Sequence, residues 1–412
     1  MLKNMKYRKT SLTTNVLSRN PWIRIIFLLV GICLLTYVGI LRGGDAANAD
    51  MSYLYSAGVA WSKGLSPYGS NNFVDIIRPL LKGRAVEELI FAYPPWSAPL
   101  CMALTIFPFA QATIMMKIIS LVSFAITSFF CIQLANSPKK ISGENVETGA
   151  WYFIPALLAM ATPTSTTLWL GQTSLIISAA LLGTFYCSQR NKWLLSGVLL
   201  AIAAMKPQLS ILVILWFILE RRWKILGSMM ISLLIFSIIP IHISGITHVF
   251  SDWLNVIHQY KSTTLNTEQG GTYVFTLRNL LFFLGINVPN LIPLGLLFTV
   301  LIWIKKVEFM NEDILPILLI ISILCGTSHI YDLVILSPVV SSFYSHLQGK
   351  KIIMSLVCMA IISAPSRYLN GSHFLAIRIS LLILVLGYLV LMSRHKATIV
   401  RTRLSSYAPN VP

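Results

Sequence analysis

Carboxylates are scarce in this chain: 14 Asp and Glu stand against 32 Lys and Arg in 412 residues. Charge of either sign makes up 11% of residues, where soluble proteins carry roughly 25%. That deficit excludes an ordinary soluble domain. Paired cysteines are missing as well. Cys33, Cys101, Cys131, Cys187, Cys325 and Cys358 all lie in apolar segments, with no CxxC and no His/Cys cluster. They read as small packing residues rather than disulfides or metal ligands. No glycine-rich phosphate loop, Walker motif or GxGxxG follows a strand pattern, and no solenoid-like repeat stands out. No soluble domain is legible, so residues 1–412 read as a single integral-membrane domain with no cofactor.

What is present is apolar. Hydrophobic residues make up 56% of the chain and mean hydropathy is +0.73. They come in long blocks, which marks an all-α polytopic membrane protein. The formal charge of +18 raises nucleic acid as a partner. The positives flank apolar spans instead, where they fix orientation, so no nucleic acid is expected. Basic clusters at the N-terminus (Lys3, Lys6, Arg8, Lys9), 190–192, 220–224, 305–306, 350–351 and 394–403 mark the cytoplasmic side. The segment ending in "AANA" resembles a cleavable leader. Trp22 to Leu41 is long enough to span a bilayer, so an uncleaved signal-anchor with a cytoplasmic N-terminus is expected.

Later spans are expected near 93–109, 112–134, 151–188, 225–243, 291–304, 314–327, 333–346, 352–363 and 374–393. Residues 193–219 read as a tight hairpin broken at Lys206-Pro207. Several segments fall short of the roughly 20 residues of a straight span. Short or Pro-broken helices at membrane depth require protein or a water-filled cavity beside them. The expectation is about ten to thirteen transmembrane or re-entrant helices, with large extracytoplasmic loops near 42–92 and 245–290.

Polar residues at depth are costly and therefore candidates for function. Lys206 reads either as a snorkelling lysine or as a cation for a lipid phosphate. Gln172, in "TPTSTTLWLGQTSL", reads as a helix–helix hydrogen bonder or as a group that meets sugar hydroxyls at a cavity wall. His329 and Asp332, three apart in "SHIYD", share a face if helical. They read as a surface turn, as a His oriented by a carboxylate for proton transfer, or as half a metal site. Two ligands are too few to argue metal. On a helix, Asp50, Tyr53, Ala57 and Trp61 fall along one stripe. An aromatic stripe beside a carboxylate suits a sugar. A helix cap fits Asp50 equally well.

The order of these pieces resembles glycosyltransferase family 87, polytopic enzymes of the GT-C superfamily. The resemblance rests on "DMSYLYSAGVAWSKGLSPY" after the first span, "YPPWSAPL" at 93–100, Pro163 to Gln172, "KPQ" at 206–208 with Arg-Arg-Trp at 221–223, and the Ser-His-x-Tyr-Asp turn at 328–332. It covers roughly residues 45 to 332. Many family members carry an aromatic directly after the acid, where this chain has Met51.

The resemblance implies a GT-C-like helical bundle in a bacterial cytoplasmic membrane, with its site on the extracytoplasmic face. The donor it implies is a sugar on a polyprenyl phosphate: a hexose such as mannose or glucose, or a pentose such as arabinofuranose. The acceptor is a glycan, glycolipid or other lipid-linked molecule. Carried over, Asp50 is the general base and His329 an active-site residue, with Asp45 the competing base. Lys206 and Arg278 are expected at the donor phosphate. Tyr53, Trp61, Tyr68, Tyr93, Gln172 and Asp332 are expected at the sugar or acceptor. No DxD-like motif appears, consistent with a lipid donor and no dedicated metal. The rival readings are a lipid-linked sugar flippase and a surface-glycan polymerase or ligase.

Overall fold

The structure is a computed structural model that describes residues 21–44, 47–69, 71–81, 89–142, 150–263, 274–346, 350–364 and 372–407. Asp45 and most of the turn at 366–373 lie outside the described residues.

Those residues are almost wholly helical. The first apolar run is α1 (Pro21–Leu35), which ends in a π-helical turn over Thr36–Leu41. The first large loop holds α2 (Ala49–Ser62) and α3 (Asn71–Ile77). The next apolar block gives α4 (Ala98–Leu104) and the long α5 (Phe109–Ser142). The block expected to cross once at 151–188 is three helices: α6 (Ala150–Met160), α7 (Thr162–Leu170) and α8 (Ser174–Gln189). Pro163 sits in the first turn of α7, where its missing N–H costs nothing. Gly171 ends α7 with a left-handed φ of 70°. Helices α6 and α7 bend by 58° at their break.

The hairpin of α9 (Trp193–Ala203) and α10 (Pro207–Leu219) breaks at Lys206, as the sequence indicates. Helix α11 (Trp223–Phe236) bends by 50° into α12 (Ile238–Ser244). The second large loop contains α13 (Ile246–Ser262) and α14 (Leu277–Phe283). The apolar face of α13 buries Val249 and Val256, and its Trp253 Nε1 donates to the Ala92 carbonyl at 3.1 Å. The remaining helices are α15 (Ile292–Ile304), α16 (Asn311–Cys325), α17 (Ser337–His346), α18 (Lys350–Ile362) and α19 (Ser372–Tyr407).

Among the described residues, three helical stretches are long and apolar enough to cross a bilayer, or five if each bent pair is one span. They are Trp22–Leu41, Phe109–Asn136 and His373–Thr402. Most others are shorter. Helices α8, α10 and α16 have 16, 13 and 15 residues, or about 20–24 Å at 1.5 Å per residue. The hydrocarbon core is about 30 Å thick.

These three short helices join two chemically different ends of the bundle. One end is basic and ion-paired. There Lys306 pairs with Glu220, and Trp303 Nε1 donates to the same carboxylate at 2.8 Å. Arg394 and Lys305 pair with Glu308 at 2.5 and 3.6 Å. The opposite ends of α8, α10 and α16 meet the sequence motifs described above. Between the two ends lies an apolar core drawn from α1, α5 and the helices from α6 to α19, including Leu35, Ile132, Leu181, Leu212, Ile320 and Leu382.

Candidate active site

Four helix junctions and one helix start converge at the second end. They are the N-terminus of α2, the segment before α4, the α7–α8 junction, the α9–α10 junction and the turn after α16. Each brings one of the motifs read from the sequence.

Asp50 lies in the first turn of α2, where the helix dipole favours a negative charge. The start of α2 is held in place by its neighbour: the Asn48 N–H donates to the Trp169 carbonyl at 2.8 Å. Met51 packs on Gly171, whose added Cβ would lie 2.7 Å from the Met51 Cβ. Only a glycine lets α2 come this close to the end of α7. A second close approach is at Gly58, where an added Cβ would lie 2.1 Å from the Cys101 carbonyl oxygen. It seats α2 on α4.

That seating places Asp50 beside Gln172. The Gln172 Nε2 donates to Asp50 Oδ2 at 2.8 Å. Its Oε1 accepts from the Tyr93 hydroxyl at 2.8 Å and from the Thr173 N–H at 3.3 Å. Tyr93 and Thr173 hydroxyls are 3.1 Å apart. The Tyr93 backbone is fixed in turn, because Tyr68 OH donates to its carbonyl at 2.9 Å. Burial pushes both phenols well above the usual tyrosine value. At Tyr93 the Thr173 hydrogen bond works the other way, while Asp50, Asp332 and Tyr260 add to the rise.

Two residues along the chain, Ser174 opens α8 and serves the other acid. Its hydroxyl donates to Asp332 Oδ1 at 2.7 Å, and Lys206 Nζ donates to Ser174 Oγ at 2.8 Å. Lys206 also pairs directly with Asp332 Oδ1 at 2.7 Å. Its ammonium lies 4.7 Å from the centre of the Tyr331 ring. Lys206 is 6% exposed and Asp332 1%, so the lysine does not snorkel to the surface. The other Asp332 oxygen accepts the His329 N–H at 3.0 Å, and the Asp332 N–H donates to the His329 backbone carbonyl at 2.9 Å. This reciprocal cap grips the backbone of the turn. Val274 forms an isolated antiparallel bridge with His329, and the Phe275 N–H donates to the Ser328 carbonyl at 2.7 Å. Arg278 follows at the start of α14, half-buried.

The site is therefore layered. Asp50, Tyr93, His329 and Tyr331 are half-buried at its mouth. Gln172, Ser174, Lys206 and Asp332 are buried behind them. Tyr260, near the end of α13, bears electrostatically on Tyr93 and Tyr331. The structure thus brings together Asp50, Tyr93, Gln172, Lys206, His329 and Asp332. Trp61 and Tyr68, expected at the sugar, are only 3% and 5% exposed. With Phe73 and Phe91 they form an aromatic cluster, Trp61 and Phe91 lying 5.5 Å apart edge to face. Tyr68 and Phe91 are the members of that cluster that touch Tyr93, through its carbonyl and its ring. The Tyr53 ring lies tilted against Phe73, centroids 6.4 Å apart, and is half-buried.

Thr173, Ser174 and Tyr260 did not emerge from the sequence. Thr173 and Ser174 directly follow Gly171-Gln172, and small hydroxyls at a helix start are its usual capping residues, which is the one signal that points to them.

A family model described as glycosyltransferase family 87 matches residues 91–324, more than half of the 412 residues. The chain belongs to that family and is a membrane glycosyltransferase. No curated protein and no solved structure matches it.

Proposed function

We propose that this family 87 glycosyltransferase moves a sugar from a polyprenyl-phosphate donor to an acceptor hydroxyl at the extracytoplasmic surface of a bacterial cytoplasmic membrane. The observation that carries this reading is the asymmetry of its two acids. Asp332 is engaged by a lysine, a serine and a backbone N–H, and is buried. Asp50 is half-buried at the mouth, at a helix N-terminus, with Gln172 donating to one oxygen. A general base needs an ionised oxygen within reach of substrate, and Asp50 meets that need.

The reaction is a single displacement. The acceptor hydroxyl gives its proton to Asp50. Its oxygen forms a bond to the anomeric carbon from the face opposite the phosphate. The bond from that carbon to the phosphate oxygen breaks, both electrons go to the oxygen, and polyprenyl phosphate leaves as an anion. The product has inverted anomeric configuration. The leaving group needs positive charge rather than a proton. Lys206 is already balanced by Asp332, so the net charge for the phosphate falls to Arg278, with Lys206 lending an N–H. His329 and Tyr331 flank the entry of substrate. The sugar is a hexose or a pentose, and the acceptor a glycan, glycolipid or other lipid-linked molecule.

The test is transfer by purified Asp50→Asn protein from a polyprenyl-phospho-sugar. The expected loss is about 10²–10⁴-fold, with donor binding retained. Transfer at the wild-type rate overturns the assignment.

A further inference from the structure

The hydrogen bonds around Gln172 have a direction. Its Oε1 receives two donors, the Tyr93 hydroxyl and the Thr173 N–H, so its Nε2 is the atom facing Asp50. Tyr93 has one proton, which goes to Gln172. The contact of 3.1 Å between Tyr93 and Thr173 hydroxyls therefore runs from Thr173 to Tyr93. Thr173 O–H donates to Tyr93, Tyr93 O–H donates to Gln172, and Gln172 N–H donates to Asp50. Every proton in this chain points towards the carboxylate.

We propose that Gln172 and Tyr93 are positioning residues, forming a one-way donor chain that holds the Asp50 carboxylate in place and favours its ionised form. The proposal rests on Asp50 being the base.

Three physical arguments support it. Donation to a carboxylate stabilises the charged state, and donors in series reinforce one another. The amide is 5% exposed and anchored at its oxygen, so its Nε2 does not swing away when substrate enters. The chain also offers Asp50 no acceptor along its length.

Other groups set the background charge of the site: Lys206, His329 and Asp332, with Tyr260 and Tyr331. The elements packed against α2 carry Cys101, Cys131, Asp75, Arg78, Lys117, Lys139, Lys140 and His242. All remain in the variants below, so their fields do not change the comparison.

The experiment is the pH dependence of kcat/KM for sugar transfer by full-length protein in one lipid or detergent system. Gln172→Leu removes the donor, and its acid limb is expected to move up by about one pH unit, the size of a single charged hydrogen bond. Tyr93→Phe shortens the chain and moves the limb in the same direction by less. Gln172→Glu keeps the shape, puts a second carboxylate beside Asp50 and moves the limb furthest. In all three, kcat falls while KM for the lipid donor stays within about two-fold of wild type. An unmoved acid limb in the folded variants overturns the proposal, and so does a raised KM at unchanged kcat. If Gln172→Leu fails to fold, Gln172→Glu and Tyr93→Phe decide alone. Asp50→Asn separates the two readings. If it is active, the base assignment falls. If it is inactive while the Gln172 variants keep the wild-type limb, only the donor chain falls.

Discussion

Lys206 Nζ and Asp332 Oδ1 lie 2.7 Å apart in the buried layer of the site, though 126 residues separate them in sequence. Ser174 closes a triangle with both. The pair ties the α9–α10 break to the turn after α16.

Removing one partner leaves the other charge buried and uncompensated. Lys206→Met or Asp332→Leu alone is expected to cost about 3–5 kcal/mol. The double variant is expected to recover most of that. Denaturation of the four proteins in one detergent gives the coupling energy. Additive losses would mean that the two charges do not stabilise one another.

Gly171→Ala forces a Cβ into the Met51 contact and into a left-handed backbone. The expected stability loss is at least about 1 kcal/mol, with a larger fall in transfer because Asp50 moves with Met51. Adding Met51→Gly removes the facing Cβ but not the backbone strain, and it places a glycine in a helix, so activity recovers more than stability does. Equal recovery of both would show that the collision alone was responsible.

Tyr68 and Tyr93 bind their protons more tightly in the fold than the usual value of 10.0. Above that pH the unfolded chain releases protons that the native state keeps. Stability contributed by these two phenols is therefore complete below about pH 10 and lost as pH rises beyond it. Thermal unfolding between pH 8 and 11 is the measurement. Tyr68→Phe with Tyr93→Phe should flatten the alkaline fall. An unchanged slope would assign the fall to other groups.

Deletion of the gene is expected to remove one hexose or one pentose from each repeat of a surface glycan or glycolipid. Mass spectrometry of the cell envelope reads this directly. An unchanged glycan profile in a strain that normally expresses the protein would count against the proposed acceptor class.

Much of this site was legible in the sequence because its parts sit at helix breaks. Lys206-Pro207 interrupts an apolar run, and the chain does break there. Gly171 and Pro163 also mark breaks, yet residues 151–188 read as one crossing because the polar run Thr162–Thr167 is short and apolar residues flank it on both sides. The loop at 245–290 conceals α13, whose apolar face shows only once Val249 and Val256 are seen buried. Side-chain pairing was the least legible part. Nothing in local periodicity says that Gln172 meets Asp50, 122 residues away. The aromatic stripe of α2 was readable as a stripe, but its direction was not: Trp61 turns into the core, against Tyr68 and Phe91. The three-residue spacing of His329 and Asp332 did predict a shared turn. The carboxylate grips the backbone N–H of that histidine, a contact that residue types alone do not specify.

The short helices α8, α10 and α16 also bear on the surrounding lipid. Their roughly 20–24 Å must match a hydrocarbon slab of about 30 Å. Either the bilayer pinches around this part of the bundle or the long flanking helices shield it. Pinching draws the water boundary down towards Asp50 and Tyr93. Acyl-chain length then becomes a control on the enzyme: thicker vesicles strain the pinch and slow transfer, whereas thinner ones relieve it.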